Sequence, residues 1–309
     1  MDKSKTAIAY IINWNGMKFL PEILPTVLVA KEAAGFSMKV VLIDNQSRDA
    51  SINYTQKNFS DIEVFKASRN GWLYSVNECL KAQKPDVFFL LNNDQKLDPL
   101  FFKSLMSALE DEKVAIAGGN VFNWKGDAMT LGPITLDQTA VPLSRGLIRQ
   151  TDMLLAPGKK ISESIYVSGG ACAIKRDVYE ALGGFDPVFY PGYFEDTDLC
   201  LRTWLKNYQV VFVAAAKSFH FGAGSSRTLL ARMRVKFILA RSEVFFNFKY
   251  QSLQYKNKLR LFFMKRLVKW FFTDWPFFWG TLFALGRLSE LQWIDIGKLT
   301  LEGGVRNEH

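Results

Sequence analysis

The chain is short of the residues that build disulfide frameworks and metal clusters. Its three cysteines, Cys79, Cys172 and Cys200, are odd in number, lack CxxC spacing and sit in apolar or helical surroundings. Neither a disulfide scaffold nor a zinc site is therefore expected, and the cysteines read as reduced core thiols of a cytosolic protein. Histidine is scarcer still, with only His220 and the terminal His309. There is no GxGxxG and no GxxxxGKS/T, which disfavours a dinucleotide-binding Rossmann loop and a P-loop. The first six residues are polar and the apolar stretch after them has only strand length, so a secretory signal is not expected. The most aromatic stretch, residues 270–285, holds Asp274 and Pro276 and falls short of the ~20 apolar residues a spanning helix needs.

What is present points to a globular protein, neither disordered nor fibrous. With 309 residues, 49% of them apolar, the chain can build one large α/β domain and an appendage. The net charge of +9 is concentrated: between Arg227 and Trp270 stand twelve Lys or Arg and a single acid, Glu243. The rest of the chain is close to neutral. Such a division suggests a body that does chemistry and a basic, aromatic extension that meets an anionic surface.

The body is organised around Val87-Phe88-Phe89-Leu90-Leu91-Asn92-Asn93-Asp94. The apolar run suits a strand buried on both faces, and the polar triplet falls at its carboxyl end, where open α/β sheets bind ligands. Asp94 can then offer oxygens to a divalent cation carrying phosphates; an ordinary turn is the competing reading. Residues 7–14 and 40–43 read as two more buried strands around a helix at 19–34, the second ending in Asp44-Asn45-Gln46-Ser47-Arg48-Asp49. A strand at 62–65 leads to Asn70-Gly71-Trp72 and a helix through Asn77 and Leu80. A helix at 99–110 and a strand at 115–122 follow. Residues 123–164 lack periodicity and read as a long excursion across the binding face. Residues 165–174 restore strand character around Gly169-Gly170, where something must approach the backbone closely.

A second focus of acid is Glu195-Asp196-Thr197-Asp198 at the start of a helix running to about Lys206. Capping by Asp196 and pairing of Asp198 with Arg202 would account for one or two acids. Three acids in four residues, after aromatics and Gly192, exceed what a cap requires, so one is a candidate general base. After a strand at 210–213 comes His220 beside a glycine-rich segment, where a structural role competes with metal or phosphate contact.

In this order the motifs resemble those of family 2 glycosyltransferases, in particular the rhamnosyltransferase-like branch, over roughly residues 7–225. The matching segments are Ile12-Asn13-Trp14-Asn15, Asp44-Asn45-Gln46-Ser47-Arg48-Asp49, Asn70-Gly71-Trp72 with Asn77, Asn92-Asn93-Asp94, Gly183-Gly184-Phe185-Asp186 with Glu195-Asp196-Thr197-Asp198-Leu199, and His220 with Ser225. The resemblance implies the GT-A fold, an α/β architecture with a Rossmann-like, mostly parallel sheet flanked by helices. It puts Trp14, Asp44, Asn70, Asn77, Asn93 and Asp94 at a nucleotide-sugar donor, Gly170 and Glu195 on the acceptor side, and Asp196 in the role of catalytic base. Asp94 and His220 are implied as ligands of Mg2+ or Mn2+; Asn92 stands where the family has the first acid of its DxD motif.

The implied activity is inverting, metal-dependent sugar transfer to a hydroxyl of a glycan or lipid-linked glycan in bacterial surface polysaccharide (O-antigen) synthesis. Rhamnose from dTDP-rhamnose is the leading donor, and a UDP-hexose or UDP-N-acetylhexosamine the alternative. Residues 1–226 are expected to form the catalytic domain and 227–309 a helical, basic and aromatic region. That region is expected to lie on the anionic inner leaflet of a cytoplasmic membrane, against the alternatives of packing on the body or joining two copies in a homodimer. A nucleic-acid-binding protein could also explain the basic stretch, but it has no need for strands that end in Asp or for the acid cluster. No nucleic-acid partner is expected.

Overall fold

The computed structural model describes residues 5–149, 161–222, 229–294 and 296. Its parallel half is β1 (Ala7–Asn13), β2 (Met38–Asp44), β3 (Ile62–Lys66) and β4 (Val87–Asn92), in the spatial order β3-β2-β1-β4. The crossovers are α1 (Leu20–Ala33), α2 (Ser51–Asn58) and α3 (Val76–Gln83). All seven residues of β1 are buried, and they alternate between two cores: Ile8, Tyr10 and Ile12 face one, Ala7, Ala9 and Ile11 the other. In β4, Phe88 and Leu90 join the first core while Phe89 and Leu91 join the second. A strand covered on both sides needs apolar residues at every position, which is why neither segment alternates in sequence. Each fully buried large side chain contributes about 1.5–3 kcal/mol, so the sheet centre holds the strand ends firmly.

Beyond β4 the sheet becomes mixed. The chain runs through β5 (Gln95–Leu97), α4 (Phe101–Ala108), β6 (Val114–Asn123), β7 (Met129–Leu131), β8 (Ile134–Leu136), β9 (Leu147–Arg149), β10 (Ile161–Glu163) and β11 (Ala171–Lys175). It continues with α5 (Arg176–Ala181), α6 (Glu195–Leu205) and β12 (Gln209–His220). β11 inserts between β4 and β6, antiparallel to both; β12 lies parallel to β6, and β10 closes that edge antiparallel. The mostly parallel sheet that was expected is parallel across β1 to β4 and in the β6–β12 pair, with antiparallel strands set beside and between them.

The described part of the 123–164 excursion is not structureless. β7 pairs with β6, β8 and β9 form their own two-stranded sheet, and β10 pairs with β12. The strand expected over 165–174 is confined to β11, because the Gly169-Gly170 turn interrupts it. α1 and α4 cover one face of the sheet through Leu20, Leu24, Phe101 and Leu105. α3, α5 and α6 cover the other through Cys79, Val178 and Leu199. All three cysteines are free and buried, as expected.

After β12 come α7 (Leu229–Tyr250), α8 (Lys256–Thr273) and α9 (Trp275–Leu285). The second half of α7 belongs to the body: Val244, Phe246 and Tyr250 are fully buried in the core that holds Leu199 and Trp204. Phe246 stacks on Phe194, ring centroids 4.8 Å apart. α9 lies so close to α7 that a Cβ on Gly280 would stand 2.3 Å from the carbonyl oxygen of Phe237. An ionic knot ties α7 to α6. Lys249 bonds Asp186 at 2.6 Å and also Asp198, which takes Arg202 at 2.7 Å and the hydroxyl of Tyr250. The expected pairing of Asp198 with Arg202 is therefore half of a larger network.

Candidate active site

The order β3-β2-β1-β4 reverses direction between β1 and β4, the kind of switch point at which open α/β sheets form a crevice. Three polar side chains meet there because three adjacent strands end together. Asn93 Nδ2 donates to Asn13 Oδ1 (2.9 Å), and Asn13 Nδ2 donates to Asp44 Oδ1 (3.0 Å). The backbone N–H of Ser47 donates to the second oxygen of Asp44 (3.0 Å). Asn13 and Asp44 are buried, so these bonds satisfy groups that would otherwise be costly. Asp44 lies beneath the cleft and braces Asn13 and the 45–47 turn; it does not open onto the cavity.

Asp94 and His220, 126 positions apart, are brought together by pairing that no local pattern reveals. β5 runs antiparallel to β12 with Gln95 opposite His220, and the N–H of Phe221 donates to the carbonyl of Asp94 (3.0 Å). His220 Nε2 then lies 3.1 Å from Asp94 Oδ1, with both side chains largely covered. This requires β12 to run past Val213, where the strand was expected to end. A register shift between Val213 and Lys217 lets it continue to His220. Ser225, the other member of that motif, lies outside the described residues.

On the opposite wall, Tyr193 and Phe194 both adopt φ of +68°, and Trp72 across the cleft adopts +54°. Bulky residues in this left-handed region cost about 1–3 kcal/mol each, a concentration of strain typical of working sites. The turn at 193–194 delivers α6 with its acids at the cleft. Asp196 Oδ2 accepts from the N–H of Gly169 (3.1 Å), while Oδ1 accepts from the N–H of Thr197 (2.7 Å). Burial raises the Asp196 carboxyl and these hydrogen bonds pull it back only in part, leaving it above the usual aspartate range. The neighbouring Glu195 is buried, and its Oε2 has no hydrogen-bond partner among the described residues. Burial and then the nearby Asp196 hold its carboxyl well above the ordinary value.

The close approach expected at Gly169-Gly170 comes from the protein's own side chains. A Cβ on Gly170 would stand 2.3 Å from the Asn92 amide, and one on Gly169 would stand 3.1 Å from Asp196 Cβ. Around these groups lies a cleft of about 370 Å³, within the ~300–1,000 Å³ of small-molecule sites. Of the residues expected at the site, Trp14, Asn70, Asn93, Asp94, Gly170, Glu195, Asp196 and His220 line it. Asn77 does not, because its Oδ1 accepts from the hydroxyl of Tyr179 (2.9 Å) on the flank of α3.

Sequence reasoning missed Asn45, whose Oδ1 accepts from the N–H of Gly71 (3.1 Å), and Val235 and Ile238, which bring α7 to the rim. Asn13 fell within a matching segment but was not singled out, although an amide closing an otherwise apolar strand was a readable signal. Among the described residues no group of three or more His, Cys, Asp or Glu could hold a metal by itself.

The sequence pattern of the family described as "Glycosyltransferase like family 2" matches residues 7–237. Among solved structures, GalNAc-T7 with UDP, GalNAc and Mn2+ is similar at 19% identity and a TM-score of 0.57, over 90% of this chain and 57% of that one. TarS 1-349 of S. aureus in complex with UDP-GlcNAc is similar at 14% identity and a TM-score of 0.54, over 92% and 80%. The mannosyltransferase PcManGT of Pyrobaculum calidifontis, in complex with GDP-Man and Mn2+, is similar at 12% identity and a TM-score of 0.53, over 95% and 78%. At these identities the likeness shows a common fold, with this chain spanning little more than half of the GalNAc-T7 chain. No curated protein sequence matches the chain.

Proposed function

The chain belongs to the glycosyltransferase-like family 2, and from that membership we propose that it transfers a sugar, with inversion, from a nucleotide diphosphate donor to a hydroxyl of a glycan or lipid-linked glycan. The observation that carries this reading is the arrangement of one cleft. A buffered acid, Asp196, stands on one wall and the Asp94–His220 pair on another, above strand ends braced by Asn13, Asp44 and Asn93. The fold neighbours that hold UDP or GDP-Man, two of them with Mn2+, support a nucleotide diphosphate donor.

The residues fit a divalent cation of the kind held by one or two protein groups, with substrate phosphates and water completing its shell. Asp94 and His220 would hold Mg2+ or Mn2+, which when bound supplies positive charge against the leaving diphosphate. The chain's own residues do the rest. Asn93 and Asn70 line the donor side, and Trp14 offers a half-exposed ring there. The acceptor hydroxyl passes its proton to the carboxylate of Asp196 while its oxygen bonds the anomeric carbon from the face opposite the diphosphate. The bond from that carbon to the diphosphate oxygen breaks, and the configuration inverts. A base whose carboxyl is raised above the ordinary range captures that proton better near neutral pH. Glu195 and Gly170 face the acceptor side.

The motifs favour dTDP-rhamnose as donor, while the neighbours' ligands favour a UDP-sugar. The setting proposed for either is the cytoplasmic face of a bacterial membrane, during surface polysaccharide synthesis. Thermal denaturation with dTDP, UDP and GDP, each with and without Mg2+ or Mn2+, tests the reading. At a hundred times its Kd a ligand adds about 2.7 kcal/mol. One base should raise the midpoint in a metal-dependent way; no shift with any nucleotide would overturn the proposal.

A further inference from the structure

Away from the cleft the molecule leaves a large apolar surface uncovered. At 3.6 residues per turn α8 divides into three faces. Leu259, Phe263 and Leu267, four apart, are buried. Leu261, Met264, Val268 and Phe272 fall on the next face and are 57%, 55%, 66% and 78% exposed. Lys258, Lys265 and Lys269 form the third face, exposed beside the apolar stripe. α9 prolongs that stripe. Trp275 stacks on Phe271 of α8 with ring centroids 5.9 Å apart, and Trp279, one turn later, is again half exposed. A contiguous apolar surface of this kind marks an interaction site.

Charge selects the partner. α8 carries six Lys or Arg and no acid, and of these Arg266 is paired with Glu243 of α7 at 3.1 Å. In a two-fold contact with a second copy the same face meets itself, setting one lysine stripe against another. A nucleic acid would match the cations but leave the aromatic stripe in water. An anionic bilayer accommodates both features, with Trp and Phe rings at headgroup depth and the lysines against lipid phosphates. No helix among the described residues is long and apolar enough to cross a membrane, so the face suits the interface plane. We infer that the α8–α9 face docks the protein on an anionic lipid surface. α9 packs on α7, which carries Val235 and Ile238 to the cleft rim, so the docked face and the cleft share one helix.

The test is co-sedimentation of the full chain with phosphatidylcholine vesicles, with and without phosphatidylglycerol. It uses two variants at exposed positions, Phe272→Ser/Trp275→Ser and Lys258→Gln/Lys265→Gln/Lys269→Gln. Wild type is expected to pellet with the anionic vesicles and to be released by high salt. The lysine variant should partition about a hundredfold less, and the aromatic variant should stay in solution. Both should keep the wild-type melting temperature. Failure of wild type to bind phosphatidylglycerol vesicles, or equal binding by all three proteins, would overturn the inference. So would a dimer that the aromatic variant dissociates, or salt-dependent DNA binding, when vesicles are not bound.

Discussion

Lys249→Met removes the cation at the centre of the knot between α6 and α7. The Lys249 side chain is 3% exposed and that of Asp198 is fully buried. Breaking a buried ion pair by deleting one partner costs about 3–5 kcal/mol. The lower end applies here. Asp198 keeps Arg202 and the Tyr250 hydroxyl, and Asp186 keeps the N–H of Val188 and has a side chain 28% exposed. A loss of about 3 kcal/mol, which for a chain of 309 residues is roughly 5 °C in midpoint, is expected by urea and thermal denaturation. The wild-type cluster holds two cations and two carboxylates, so Lys249→Met/Asp186→Asn restores neutrality and should recover part of the loss.

Acid titration gives a second readout of the same cluster. Burial pushes the Asp186 carboxyl up, but the Lys249 hydrogen bond, the Val188 N–H and the charges of Lys249 and Arg202 outweigh it and leave it below the usual range. That stability is present above the unfolded carboxyl's value, about 3.9, and is lost as pH falls through the folded one. Lys249→Met should flatten this acid limb. A variant as stable as wild type, or a double variant whose losses simply add, would refute the reasoning.

The carboxyls of the cleft carry the opposite sign. Because the Asp196 carboxyl is raised, kcat/KM should climb with pH through an apparent value above the ordinary aspartate range, and a limb within that range would count against Asp196 as base. Glu195 keeps its proton in the folded state above the point where the unfolded chain releases it, so it lowers stability as pH rises from about 4.5 toward its folded value. Glu195→Gln removes that dependence. Its midpoint relative to wild type should rise across this window, and a flat difference would sink the idea. Gly170→Ala places a Cβ 2.3 Å from the Asn92 amide, which must swing aside. Global stability should change little, while the metal-dependent midpoint shift with nucleotide should shrink; an unchanged shift would show that Asn92 does not shape the donor site.

The parallel half of the fold was readable because β1, β2 and β4 are buried on both faces and therefore stand out as unbroken apolar runs ending in Asn or Asp. α2 was not, since it buries only Ser51 and Thr55 and has no apolar stripe to announce it. The acid cluster before Leu199 was equally legible as a site. Its supports were hidden, because Lys249 reaches Asp198 from 51 residues away and Gly169 reaches Asp196 from 27. The meeting of Asp94 with His220 was implied only by the motif resemblance, because it rests on an antiparallel pairing after an irregular stretch of β12 that no local pattern near either residue shows. The C-terminal helices were read correctly as helical, basic and aromatic. What the sequence could not separate is that α7 divides along its length, its second half buried in the body, while α8 buries Phe263 and leaves Phe271 and Phe272 exposed beside Trp275 and Trp279 of α9.

The central claim is that this cleft activates an acceptor hydroxyl through Asp196. The measurement that meets it most directly is release of nucleoside diphosphate from dTDP-rhamnose, UDP-N-acetylglucosamine and GDP-mannose, with a membrane lipid extract as acceptor source. Wild type and Asp196→Asn are compared. One donor should be consumed by wild type, and Asp196→Asn should lose about 10²–10⁴-fold in rate while keeping its nucleotide-induced rise in melting temperature. Equal turnover by the two proteins would contradict the account.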